Sequence, residues 1–150
     1  MLMRTVIAFL FLAQGTLAQV PATDIGVADR GAIRRVIESQ IEALRRDDGP
    51  GAFAFASPSI KKMFGTPENF MNMVRTGYPQ VYRPASVSFG DLLHADGTLH
   101  QLVDIVGPDG LPVIAVYEME RQPDGSWQIN GCRLLRRPER TTWSGADYLA

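Results

Sequence analysis

One long helix and two short ones packed on a curved four-stranded antiparallel meander, an α+β domain, is the architecture that three features of this 150-residue chain predict. Apolar residues recur at intervals of three and four from Ile33 to Leu44. Two hydroxyl–proline pairs, Ser57-Pro58 and Thr66-Pro67, punctuate the segment that follows. Three Asp-Gly pairs then divide a β-rich second half at nearly even spacing.

The chain opens with MLMRTVIAFLFLAQGTLA, in which Arg4 precedes an apolar run from Val6 to Ala13 and small residues follow at Thr16 and Ala18. That is the pattern of a secretory signal peptide over residues 1–18, with cleavage expected between Ala18 and Gln19. The run is shorter than the roughly 20 residues needed to span hydrocarbon. No cysteine follows it, so a lipid anchor at this point is excluded. The expected localisation is therefore export, either periplasmic or secreted, with membrane contact only through the transient signal. Residues 19–28 show no period and are expected to form a flexible lead-in.

A single domain is expected over 29–137. Ile33, Val36, Ile37, Ile41 and Leu44 form one apolar stripe, with Arg and Glu on the remaining faces, which predicts a helix over about 30–46. Asp47-Asp48-Gly49-Pro50-Gly51 stops it. In the following GAFAFAS stretch, Phe53 and Phe55 alternate as in a strand, but the segment is too short to decide. Ser57 and Thr66 each place a capping hydroxyl before proline, and Gly65 and Gly77 stand at C-terminal cap positions, predicting helices over 58–64 and 67–76. Ile60, Met63, Phe64, Phe70, Met73 and Val74 are expected to face inward, and Pro79 and Pro84 to frame an extended link.

Asp96-Gly97, Asp109-Gly110 and Asp124-Gly125 are hairpin signals, because both residue types accept the positive φ of a tight turn. They join expected strands near 86–94, 99–107, 111–121 and 126–136. A polar tail occupies 138–150, apart from Trp143, Tyr148 and Leu149.

A sheet curled around the first helix would enclose a conical cavity, an arrangement that resembles the cystatin-like cone of nuclear transport factor two and the ketosteroid isomerases. At finer grain the chain is similar to a family of small exported bacterial proteins known as domain of unknown function 4864. The residues that carry this likeness are Gln40 with Asp47-Asp48, the Phe53–Pro58 stretch, Met63-Phe64-Gly65, Phe70 with Met73-Val74, Tyr78, Tyr117-Glu118, and Gly125-Ser126-Trp127 leading to Gly131-Cys132. The likeness spans roughly 28–136. The family has no established activity, so it implies a fold and no catalytic residue.

Charge and composition narrow the function classes. Fifteen Lys and Arg against sixteen Asp and Glu leave no basic excess for neutralising phosphates, so no nucleic-acid partner is expected. One cysteine and two histidines leave little for a protein-made metal site, and no cofactor motif appears, so no metal and no cofactor are expected. Among acid–base candidates, Asp104 interrupts the apolar second strand. Alternation with Leu99, Val103 and Ile105 points it and His100 to the opposite face, which leaves Asp104 a weak catalytic candidate. Cys132 in a strand reads as a small apolar residue. Tyr78, Tyr82, Tyr117 and Trp127 are candidates for a cavity wall with apolar bodies and polar tips, suited to a small apolar ligand.

Three functions follow as expectations. The first is a non-catalytic cone domain that binds a small ligand or a protein partner. The second is an isomerase- or hydratase-like enzyme using a cavity carboxylate or tyrosine. The third is a homodimeric assembly protein, since Ile114 and Val116 make the third strand apolar on both faces. The absence of an acid–base constellation favours the first and third over catalysis.

Overall fold

The structure is a computed structural model that describes residues 25–137. The expected signal peptide, its cleavage site at Ala18 and Gln19, and the polar tail lie outside these residues. α1 (Val27–Arg45) carries Ile33, Ile37, Gln40, Ile41 and Leu44 into the core. It begins three residues before the expected start, so residues 27–28 are helix rather than lead-in. Asp29 in its first turn complements the positive end of the helix.

α2 (Gly49–Ala54) settles the ambiguous stretch as helix. The Asp48 carboxylate caps it, accepting a hydrogen bond from the Gly51 amide at 2.9 Å, and Pro50 is pre-set for a first turn. Phe55 ends the helix in an αR conformation, and the chain is then extended at Ala56 and Ser57. Ala56 bridges Ile129 in parallel, with the Ser57 amide donating to the Ile129 carbonyl at 2.8 Å and the Ile129 amide to the Phe55 carbonyl at 2.9 Å. α3 (Pro58–Phe64) and α4 (Pro67–Gly77) follow as the sequence predicts, capped by the hydroxyls of Ser57 and Thr66. The expected extended link contains instead a helical turn, α5 (Pro79–Tyr82). Pro79 fixes its first φ, and the turn buries Val81 at 4% exposure.

Strands β1 (Ser86–Ala95), β2 (Thr98–Val106), β3 (Pro112–Arg121) and β4 (Trp127–Arg136) form an antiparallel meander in the order β1-β2-β3-β4. Asp96 and Gly97 both have positive φ, 51° and 77°, as a two-residue hairpin requires. The other two turns are longer. There only the glycine is left-handed, and Asp109 and Asp124 accept hydrogen bonds from the amides of Leu111 and Ser126. Irregularities in pairing fall between Phe89 and Leu92 and between Glu118 and Met119.

Register decides which face each side chain takes. Val103 pairs Phe89 and Ala115, and Gln101 pairs Leu92 and Tyr117, so odd-numbered residues of β2 and β3 face the helices. Leu99, Val103, Ile105, Val113, Ala115, Tyr117, Met119 and Ile129 join Ile33, Ile37, Ile41 and Leu44 in one buried cluster. On the other face Leu102, Ile114 and Val116 form a second, smaller cluster, flanked by half-buried Leu93 and Leu135.

His100 lies on that second face with Nδ1 buried and unpartnered. Burial pushes its pKa below the usual 6.5; Glu118 and Asp96 oppose the shift, while Arg133 and His94 add to it. The folded chain thus binds this proton less readily than the unfolded chain, and stability falls as pH drops through the ordinary histidine value. Urea unfolding between about pH 7 and 5 is expected to show this loss, and His100→Gln to flatten it. An unchanged slope in the variant would remove His100 as the cause.

Candidate functional site

The helices close over the inner face of the sheet without filling it. A cavity of about 310 Å³ remains among α1, α3, α4, α5 and the β3–β4 pair. Leu44, Ile60, Phe64, Phe70, Val74 and Ile129 supply most of its apolar wall. Met63, expected to face inward, is instead 71% exposed at its edge, because α3 lies on the surface with no fully buried residue. No Asp, Glu, Lys, Arg or His lines it.

Four lining residues carry polar groups. The Gln40 amide nitrogen donates to the Ala52 carbonyl at 3.2 Å. The Tyr78 hydroxyl donates to the Cys132 carbonyl at 2.8 Å, and burial raises its pKa. Cys132 is a free thiol whose pKa burial pushes up to about 12, so it stays protonated and inert at neutral pH. Tyr117 is 1% exposed, burial raises its pKa well above the usual value, and its hydroxyl has no hydrogen-bond partner. A buried unpaired hydroxyl costs free energy, so this one stands out from an otherwise satisfied wall.

A larger and more open groove of about 600 Å³ runs along α1 beside β1. Its charges pair with one another, Arg34 with Glu38 at 2.8 Å and Glu42 with Arg45 and Arg46 at 3.8 and 3.3 Å. Exposed pairs of this kind are an ordinary solvated helix face. The smaller cavity is the better candidate because it is less open, and its lining carries no charged side chain.

The family model described as "Domain of unknown function (DUF4864)" matches residues 27–142, nearly the whole span from α1 onward. The chain belongs to this family. No curated protein matches it. Among solved structures it is similar to a crystal structure titled NTF-2 like protein of unknown function from Burkholderia xenovorans LB400. The two share 16% identity with a TM-score of 0.46, over 76% of this chain and 91% of that one.

Within this DUF4864 domain the four aromatic candidates separate. Tyr78 and Tyr117 line the cavity; Tyr82 and Trp127 do not. Tyr82 is drawn to the surface, where its hydroxyl donates to Asp47 and Arg75 and Arg83 lie over its ring. Asp47, held by that hydroxyl and by Arg75 and Arg83 at 3.4 and 2.8 Å, has its carboxyl below the usual range. Trp127 is turned toward the start of α1, its Nε1 donating to Asp29 at 3.0 Å. Asp104 lies on the outer face, 3.3 Å from the Arg137 guanidinium and away from the cavity. Among the described residues no cluster of three or more His, Cys, Asp or Glu could hold a metal ion. Gln40 is the lining residue that periodicity alone did not single out; its place on the apolar stripe, three residues after Ile37, is the signal that marks it.

Proposed function

We propose that this DUF4864 domain binds a small apolar molecule in its cone cavity without transforming it. The observation that carries this reading is a half-open, apolar cavity of about 310 Å³ with no charged side chain among its lining residues. Binding is favoured over turnover because no carboxylate or imidazole reaches the cavity, and both lining tyrosines are shifted away from acting as bases at neutral pH.

Dimethylaminonaphthalene, a neutral ring that brightens in apolar surroundings, provides the test. Saturable binding to the mature chain is expected. Met73→Trp, which replaces a flexible thioether on the cavity wall with a bulky indole, is expected to weaken it at least about tenfold while circular dichroism is unchanged. Equal binding by the variant would place the probe elsewhere and sink the proposal.

Export belongs to the same proposal and is supported by residues 1–18. The protein recovered from its host is expected to begin at Gln19, which N-terminal sequencing checks; an intact Met1 terminus would overturn it. A homodimer through the outer sheet face is the second reading; Leu102, Ile114 and Val116 are themselves buried there, so half-buried Leu93 and Leu135 would make the contact. Sedimentation decides it, and a monomer across the micromolar range removes it.

A further inference from the structure

We propose that residues 138–150 of the same chain lie over the outer face of the sheet, with Trp143 seated on the row formed by Leu102, Ile114 and Val116. This contact is on the opposite face of the sheet from the cavity and is independent of what the cavity holds.

An antiparallel sheet with helices on one side leaves its other face to water, unless a further layer covers it. The buried apolar residues of α1, α2, α4 and α5 all join the inner cluster, and α3 has no buried residue. Yet on the outer face Leu102, Ile114 and Val116 are only 6%, 3% and 1% exposed. Half-buried Leu93 and Leu135 flank this row, and among the described residues no other apolar side chain packs on it. Neighbours in the plane of the sheet shield a row from its sides, whereas loss of nearly all exposure needs a layer above it. The burial is already present in one chain, so a second copy is not what produces it.

The path of the chain leaving β4 identifies the cover. Leu135 pairs with Ile114, and Ile114 with Asp104, in one line across the outer face. Arg137, two residues past Leu135 and on the same side by alternation, reaches back along that line to Asp104 at 3.3 Å. The last described residue is thus already committed to the outer face. Neighbouring strands lie about 4.8 Å apart, and Trp143, six residues beyond Arg137, has an extended reach of about 20 Å, ample for the row. Trp143, Tyr148 and Leu149 are the large apolar residues of this segment. The other end of the described chain leads elsewhere. Ile25, just before α1, packs on the inner cluster, and residues 19–24 carry Val20 as their one large aliphatic side chain. A segment seated here and a homodimer through the same face exclude one another.

Trp127 and Trp143 are the two tryptophans of the chain, so Trp127→Phe leaves a single reporter. In the mature full-length chain Trp143 is expected to emit at shorter wavelength than in urea and to be quenched severalfold less by acrylamide. If Trp127→Phe does not fold, the difference between wild type and Trp143→Phe reads the same residue. A nitroxide on Ser88→Cys, exposed on the outer face opposite Asp104, is expected to quench Trp143, and one on Met63→Cys at the cavity edge is not. Native Cys132 does not compete for the label, because burial pushes its thiol up to about 12. Sedimentation is expected to give a monomer.

A Trp143 as open to acrylamide as in urea would overturn the proposal. Protection without quenching from Ser88 would overturn it too, and quenching from Met63 in its place would put the segment in the cavity. A dimer would overturn the assignment to the same chain and give the face to a second copy.

Discussion

Ile37→Ala is expected to lower the unfolding free energy by about 2–5 kcal/mol, the range for truncating a large aliphatic side chain in a close-packed interior. Ile37 is 0% exposed and lies midway along the buried stripe of α1, with Ile33 before it and Ile41 after it. The same cluster contains Val103, Ala115 and Tyr117, so the void would open where helix and sheet meet. Domains of this size are stable by only about 5–15 kcal/mol, which makes the loss a large fraction of the total. Urea denaturation should show a lower midpoint at an unchanged slope. Val27→Ala, at a site 88% exposed, should stay within about 0.5 kcal/mol of wild type. A loss below about 1 kcal/mol for Ile37→Ala would show that the helix does not anchor the core.

Tyr117 should show the opposite of ordinary behaviour when truncated in two steps. Tyr117→Ala removes a fully buried aromatic ring and is expected to cost about 3–5 kcal/mol. Tyr117→Phe keeps the ring and deletes an unpartnered hydroxyl, so it is expected to be neutral or stabilising by about 1 kcal/mol. The two measurements separate packing from polarity at one position. A phenylalanine variant less stable than wild type by more than about 1 kcal/mol would mean that the hydroxyl is satisfied within the fold.

Much of this architecture was legible in the residues because local chemistry and tertiary demand agree. The α1 stripe, the capped prolines and the three Asp-Gly turns each specify their element without help from elsewhere. The segments that differed are those where distant packing decides. Residues 51–57 combine a helix, capped by Asp48, with an extended piece whose partner lies at Ile129, far along the chain. Residues 79–82 coil because Val81 finds the core, which proline spacing does not reveal. The site was half legible. Alternation placed Asp104 outward, as it is, while aromatic character named four wall candidates of which Tyr78 and Tyr117 line the cavity. Nothing local distinguishes Tyr78 from Tyr82, four residues apart. Asp47 and the arginines around it draw the second to the surface, while a bond to the Cys132 carbonyl holds the first at the cavity.

The extended residues Ala56 and Ser57 have a consequence for life at high concentration. A four-stranded sheet has two rims, and each is a template onto which another chain could add a strand. At β4 the single bridge from Ala56 and the amide of Ser57 occupy Ile129, close to where the pairing between Glu118 and Met119 shifts. At β1 the break between Phe89 and Leu92 interrupts the row of outward amides, and Gly90 and Asp91 occupy it. Each interruption shortens the run of free backbone its rim presents, which works against a second chain adding a strand there.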